Sequence, residues 1–150
     1  MELFDIISND IKEAMKAKDK IALDTLRNIK KVLLEAKTAP GAGDTVSDET
    51  AIQLIQKLVK QGKESAELYS SQNRPELAQE ELAQVAVMEK YLPEQMSEEE
   101  VTAALKEIIS SVGASGPQDM GKVMGAATKQ LAGKADGRMI SAIVKQLLNN

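Results

Sequence analysis

The sequence predicts an all-α protein, built as an N-terminal four-helix domain followed by a small C-terminal three-helix bundle. Three observations carry that prediction. Hydrophobic residues make up 43 % of the 150 residues but aromatic ones only 2 %, so the core is filled by Leu, Ile, Val, Met and Ala. Leu, Met, Ala, Glu, Gln and Lys keep their rotamer freedom in a helix, whereas the β-branched and aromatic residues that suit a pleated sheet are sparse. Apolar residues recur at spacings of three and four, the helical period. Pro and Gly clusters then break the periodic runs into segments of ordinary helix length.

Leu3, Ile7, Ile11 and Met15 outline a first amphipathic helix that ends in the polar run Lys16 to Lys20. Asp19 is placed to cap the second, whose apolar face is Leu26, Ile29, Val32, Leu33 and Ala36. Pro40-Gly41-Ala42-Gly43-Asp44 cannot continue it, which makes 38–47 a loop. Ser47 and Asp48 start a third helix, marked by Ile52, Ile55, Leu58, Val59 and Ala66 and ending near Ser70 to Asn73. Pro75 suits the first turn of a fourth, where its missing N–H is not needed; Leu77, Leu82, Val85, Met88 and Leu92 follow, and Pro93 closes it.

Ser97-Glu98-Glu99-Glu100 has the form of a capping box, with acids at the positive helix end, so this acidic cluster is structural. Val101, Ala104, Leu105, Ile108, Ile109 and Val112 give the fifth helix its buried face before Gly113 stops it. After the turn Gly113 to Pro117, a sixth helix carries Met120, Val123, Met124, Ala127 and Leu131 and ends at Gly133. Asp136 caps a seventh with Met139, Ile140, Ile143, Val144 and Leu147 facing the core. Pro93 to Met96 reads as a hinge between two helical domains, 1–92 and 93–150.

The chain has no Cys and no His, which removes thiolate and imidazole chemistry together. Structural zinc, Cys–His pairs and Ser–His–Asp triads are excluded as readings, and neither a cofactor nor a metal site is expected. Acids where a signal peptide needs a basic region, and no apolar run of the roughly 20 residues that span a bilayer, predict a cytoplasmic protein with no membrane partner. A net charge of −4 argues against an avid non-specific nucleic-acid binder, and no DNA partner is expected. Its distribution is uneven, however. From Pro117 onward Lys122, Lys129, Lys134, Arg138 and Lys145 outnumber Asp119 and Asp136.

Gly116-Pro117-Gln118-Asp119-Met120-Gly121-Lys122-Val123 has the glycine and lysine spacing of a phosphate-binding loop. Val123 stands where such a loop needs Ser or Thr for magnesium, and a helix precedes the segment in place of a strand, so nucleotide binding is not predicted. Ser70-Ser71 and Ser110-Ser111 lack the glycine-rich frame and lysine partner of an amidase site. Gly121 and Gly125 each weaken a helix by roughly 1 kcal/mol relative to Ala. Two explanations are open: tight packing against a neighbouring helix, or a surface left bare for a partner. Lys122 and Lys129 lie two turns apart on that helix, and Gly133, Lys134 and Arg138 belong to the turn beside it; cations and free N–H groups at a helix start are the usual equipment for phosphate contacts. Lys20, Arg27, Lys30 and Lys31 form a second basic strip, which ion pairs to Asp24 and Glu35 could absorb.

Met120-Gly121-Lys122-Val123-Met124-Gly125 followed by Gly133-Lys134-Ala135-Asp136-Gly137 resembles the signature of the GatB/YqeY domain. Glu89 to Ser97 and the stretch from Asp19-Lys20 to Arg27 are similar to stand-alone YqeY proteins, so the resemblance covers essentially the whole chain. It implies a relation to the tRNA-contacting tail of the glutamine-dependent tRNA amidotransferase B subunit, and with it a label of carbon–nitrogen ligase with glutamine as amido-N-donor. The large catalytic domain of that subunit has no counterpart here, and no nucleophile–base pair emerges from the residues, so no catalysis is expected of this chain alone.

The expected function is therefore non-catalytic binding of structured RNA, tRNA in the first place, by shape and phosphate contact. The basic region has no aromatic residue on which single-stranded bases could stack. The alternative is a helical adaptor for an amidotransferase, a synthetase or a ribosome-associated protein.

Overall fold

A computed structural model describes residues 2–149, and among them the secondary structure is helical with no strand. In chain order the helices are α1 (Leu3–Ala17), α2 (Lys20–Lys37), α3 (Asp48–Ser71), α4 (Pro75–Glu89), α5 (Glu98–Val112), α6 (Met120–Gln130) and α7 (Gly137–Leu148), with a single 3-10 turn at Pro117–Asp119. The chain separates into two compact units, Met1–Leu92 and Pro93–Asn150.

In the first unit Ile7, Leu26, Ile29, Leu33, Ala51, Ile55, Val59, Val85 and Met88 form one buried cluster. Helix ends are tied by the short polar residues the sequence supplies. The Asp19 side chain accepts the Ala22 N–H at 3.1 Å, and the Ser47 hydroxyl accepts the Thr50 N–H at 3.2 Å. Glu2 makes no such side-chain bond to the start of α1; Asp48, from the first turn of α3, accepts the Leu3 N–H at 2.9 Å instead. The one buried polar side chain of this core, Thr25, donates its hydroxyl back to the Ile21 carbonyl at 2.7 Å. A buried hydroxyl without a partner costs roughly 1–3 kcal/mol, and this local bond removes that penalty.

Two residues assigned to the core from the sequence lie outside it. Met15 is 54 % exposed and Leu82 49 % exposed. A strict spacing of four residues turns about 400°, so each step drifts about 40° around the helix. Over the three steps from Leu3 to Met15 that drift carries the side chain out of the buried arc centred on Ile7 and Ala14. The sixth helix also ends earlier than the sequence suggests, at Gln130, because Leu131 leaves the helix to cover the core and Gly133 takes a positive φ of 75°.

Tyr91, just past α4, reaches across 81 positions to donate its hydroxyl to Asp10 Oδ2 at 2.6 Å. Burial first, then the bond to Asp10 and its charge, raise the phenol well above its ordinary value of 10.0. The phenol of the unfolded chain ionises above that value and the folded one resists, so the contribution is intact at neutral pH and lost as pH rises. Tyr91→Phe is expected to lower stability by about 1–2 kcal/mol. It is also expected to blunt the fall of stability above pH 10, the ordinary phenol value, in urea titrations monitored by circular dichroism.

The second unit packs Val101, Leu105, Ile108, Val123, Ala127, Leu131, Ala135, Ile140, Ile143, Val144 and Leu148 into its own core. The capping box at α5 is complete: the Ser97 hydroxyl accepts the Glu100 N–H, and the Glu100 carboxylate accepts the Ser97 N–H, both at 3.1 Å. The Ser97 N–H first, and the Ser97 hydroxyl beside it, hold the Glu100 carboxyl below its usual range. Asp136 accepts the Arg138 N–H at 3.1 Å and so starts α7.

Candidate nucleic-acid interface

Helix α6 places Val123 and Ala127 in the core, and the opposite face is left to glycine and lysine. Gly121, Lys122, Gly125, Ala126, Lys129 and Gln130 line one shallow depression of about 480 Å³. Lys122 and Lys129 are seven residues apart, ~10.5 Å along the axis, and border the same side of the bare stripe. The lining has no carboxylate.

A Cβ built at Gly121 or Gly125 meets nothing within 4 Å, and neither residue has a positive φ. Of the two explanations open from the sequence, close helix packing is therefore not what these glycines serve. Glycine does permit close packing at a position absent from the sequence-based candidates. At Gly62 on α3 a Cβ would lie 2.6 Å from Val85 Cγ2 on α4. The signal is present in the sequence: Gly62 continues the apolar spacing of Ile55, Val59 and Ala66, all buried.

The remaining candidates divide between surface and scaffold. Lys134 and Arg138 are exposed on the turn between α6 and α7 and at the start of α7, but they do not line the depression. Gly133 is buried, and its carbonyl accepts Gln95 Nε2 at 2.7 Å. The next carbonyl, that of Lys134, accepts the Met96 N–H at 2.9 Å. Two sequence segments that carry the family resemblance, around Gln95-Met96 and around Gly133-Lys134, thus meet through hydrogen bonds to backbone carbonyls. Ala135 is buried and Asp136 is a cap, so within this motif only the Lys134 and Arg138 side chains offer charge to a ligand.

The segment with phosphate-loop spacing is occupied by its own carboxylate. Asp119 Oδ2 accepts the Ser115 N–H at 2.9 Å, and α5 precedes it where a strand is required. An acid already bound to the loop amide repels a phosphate there.

Among the described residues the sole ion pair is Lys16 with Glu13 at 3.4 Å, so Lys122, Lys129, Lys134 and Arg138 are not neutralised by neighbouring acids. The same holds for the second strip, where ion pairs with Asp24 and Glu35 do not form. Lys30 turns instead toward the Phe4 ring, 5.7 Å from its centroid, which Lys37 also approaches at 4.3 Å. Lys20, Arg27 and Lys31 remain exposed on the outer face of α2. No described helix is long and apolar enough to cross a membrane.

The family model described as Yqey-like protein matches residues 4–148. A protein of Pyrenophora tritici-repentis named "Altered inheritance of mitochondria protein 41, mitochondrial" is 29 % identical over 142 residues, covering 93 % of this chain and 77 % of its own. A protein of the same name from Meyerozyma guilliermondii is 34 % identical over 86 residues, 57 % of this chain and 44 % of its own.

Proposed function

From the premise that the chain belongs to the Yqey-like protein family, we propose that it binds structured RNA, tRNA foremost, and does so without catalysis of its own. The observation that carries this reading is the bare depression on α6. Two glycines that neither packing nor backbone geometry requires lie beside two lysines that no acid neutralises. Without a Cβ at either position a sugar–phosphate backbone can approach the helix, and lysine ammonium groups supply point charges to phosphate oxygens. Gly, Lys, Ala and Gln contain no general base beside a nucleophile, so the lining fits binding and not acyl transfer.

A link to glutamine-dependent tRNA amidotransferase, or to another enzyme of translation, belongs to the same proposal, since such an enzyme supplies the chemistry this surface lacks. So does a cytoplasmic site of action. The two relatives carry "mitochondrial" in their names, and tRNA is the proposed ligand in either compartment.

A specific observation favours a second reading, that of a protein adaptor: Leu68 on α3 and Leu82 on α4 are 57 % and 49 % exposed. Fluorescence anisotropy of labelled bulk tRNA across a salt series separates the two. Saturable binding is expected, with log K falling linearly against log salt at a slope of about −3 or steeper, because each of four phosphate contacts releases a counterion. Absence of binding at low salt moves the assignment to the adaptor.

A further inference from the structure

The first unit is strongly polarised in charge along its sequence. Between residues 12 and 37 there are eight cations and four acids, whereas the rest of residues 2–92 holds five cations and twelve acids. The centre of the positive segment is the outer face of α2. Lys20, Arg27 and Lys31 recur at intervals of seven and four, so they fall within a narrow arc and span ~16 Å of helix. All three are exposed, and neither Asp24 between them nor Glu35 one turn beyond Lys31 closes to an ion pair. Lys30, the fourth cation of the strip, is set apart from it by its approach to Phe4.

We propose that this face of α2 is a second phosphate-contacting surface, whose occupant is the sugar–phosphate backbone of a structured RNA. The inference rests on the RNA-binding reading and adds to it a site on a different unit of the chain. Charge complementarity selects the partner. Three cations at helical register are matched by a regular row of phosphates. An anionic bilayer selects instead for apolar side chains beside the cations on the same face. The arc of Lys20, Arg27 and Lys31 has one such neighbour, Leu34, at 45 % exposure. Asp24 within the arc lowers the affinity without changing its sign, so this surface adds to binding and does not dominate it.

The test compares three full-length proteins in the tRNA anisotropy assay: the native chain, Lys20→Ala/Arg27→Ala/Lys31→Ala, and Lys122→Ala/Lys129→Ala/Lys134→Ala/Arg138→Ala. The α2 variant is expected to bind several-fold more weakly at low salt, with a salt slope shallower by about 2. Its helicity should be unchanged, because the three side chains are exposed. Lys20→Arg/Lys31→Arg is expected to keep native affinity. An α2 variant with native affinity and slope, while the α6 and α7 variant loses binding, overturns this inference and leaves the α6 reading standing. A native chain that binds no tRNA overturns both. Loss by the α2 variant of binding to equimolar phosphatidylcholine–phosphatidylglycerol vesicles, with tRNA binding unchanged, overturns the RNA assignment of this face in favour of a lipid surface.

Discussion

Gly62→Val is expected to destabilise the first unit by about 3 kcal/mol, the upper range for forcing extra methyl groups into a packed core. The reason is the close approach of α4. A Cβ at Gly62 lies 2.6 Å from Val85 Cγ2, and Val85 is itself buried and β-branched, with no flexible end that could swing aside. The two helices must separate, and the core neighbours of Val85, Val59 and Met88 among them, are pulled apart with them. For a domain of this size, 3 kcal/mol lowers the melting temperature by roughly 12–24 °C. Gly125→Ala has the opposite sign. Its Cβ enters open space in the middle of α6, so the helix gains about 0.5–1 kcal/mol. If residues 1–92 and 93–150 are separate domains, as we propose, each change shifts only its own transition in calorimetry. Gly62→Val that melts at the native temperature would show that α3 and α4 do not pack as described. Gly125→Ala also probes function: under the RNA reading it weakens tRNA binding although it strengthens the fold.

The second large effect falls on binding. Lys122→Ala/Lys129→Ala/Lys134→Ala/Arg138→Ala is expected to lower tRNA affinity on the order of a hundredfold at low salt, taking each exposed cation as worth up to about 1 kcal/mol. Its salt slope should be shallower by about 3, since each phosphate left without its cation keeps its counterion. Circular dichroism should be unchanged, because all four side chains are exposed and none is in an ion pair. A variant that binds like the native chain removes the proposed site. Dividing the set adds resolution. If Lys122 and Lys129 account for the weakening, RNA sits in the depression on α6; if Lys134 and Arg138 account for it, RNA sits on the turn before α7.

Helix starts are legible in the sequence wherever a short polar side chain closes on its own backbone. Asp19, Ser47, Ser97 and Asp136 all cap as their local sequence requires, because each bond joins groups two or three residues apart. Helix faces are legible on average and fail at the edges of the stripe, at Met15, where accumulated rotation decides burial, and at Leu82. The end of α6 is misplaced in the sequence reading because Gly133 marks the turn that follows the helix and not its last residue.

For the candidate site, the inventory is already present in the amino-acid order: no imidazole, no thiol, a basic last third, and two glycines in an otherwise helical segment. Tertiary structure alone decided what those glycines do. Gly62 continues an apolar spacing whereas Gly121, in the first turn of α6, and Gly125 do not, but only the fold shows that at Gly62 a second helix comes close enough to exclude a Cβ. The same holds for charge. Whether Lys30 pairs with an acid or faces an aromatic ring depends on which helix lies opposite, and Phe4 is 26 positions away in the chain. Properties set by groups within one turn are written locally, whereas packing distance and the partner of a long side chain depend on residues that only folding brings near.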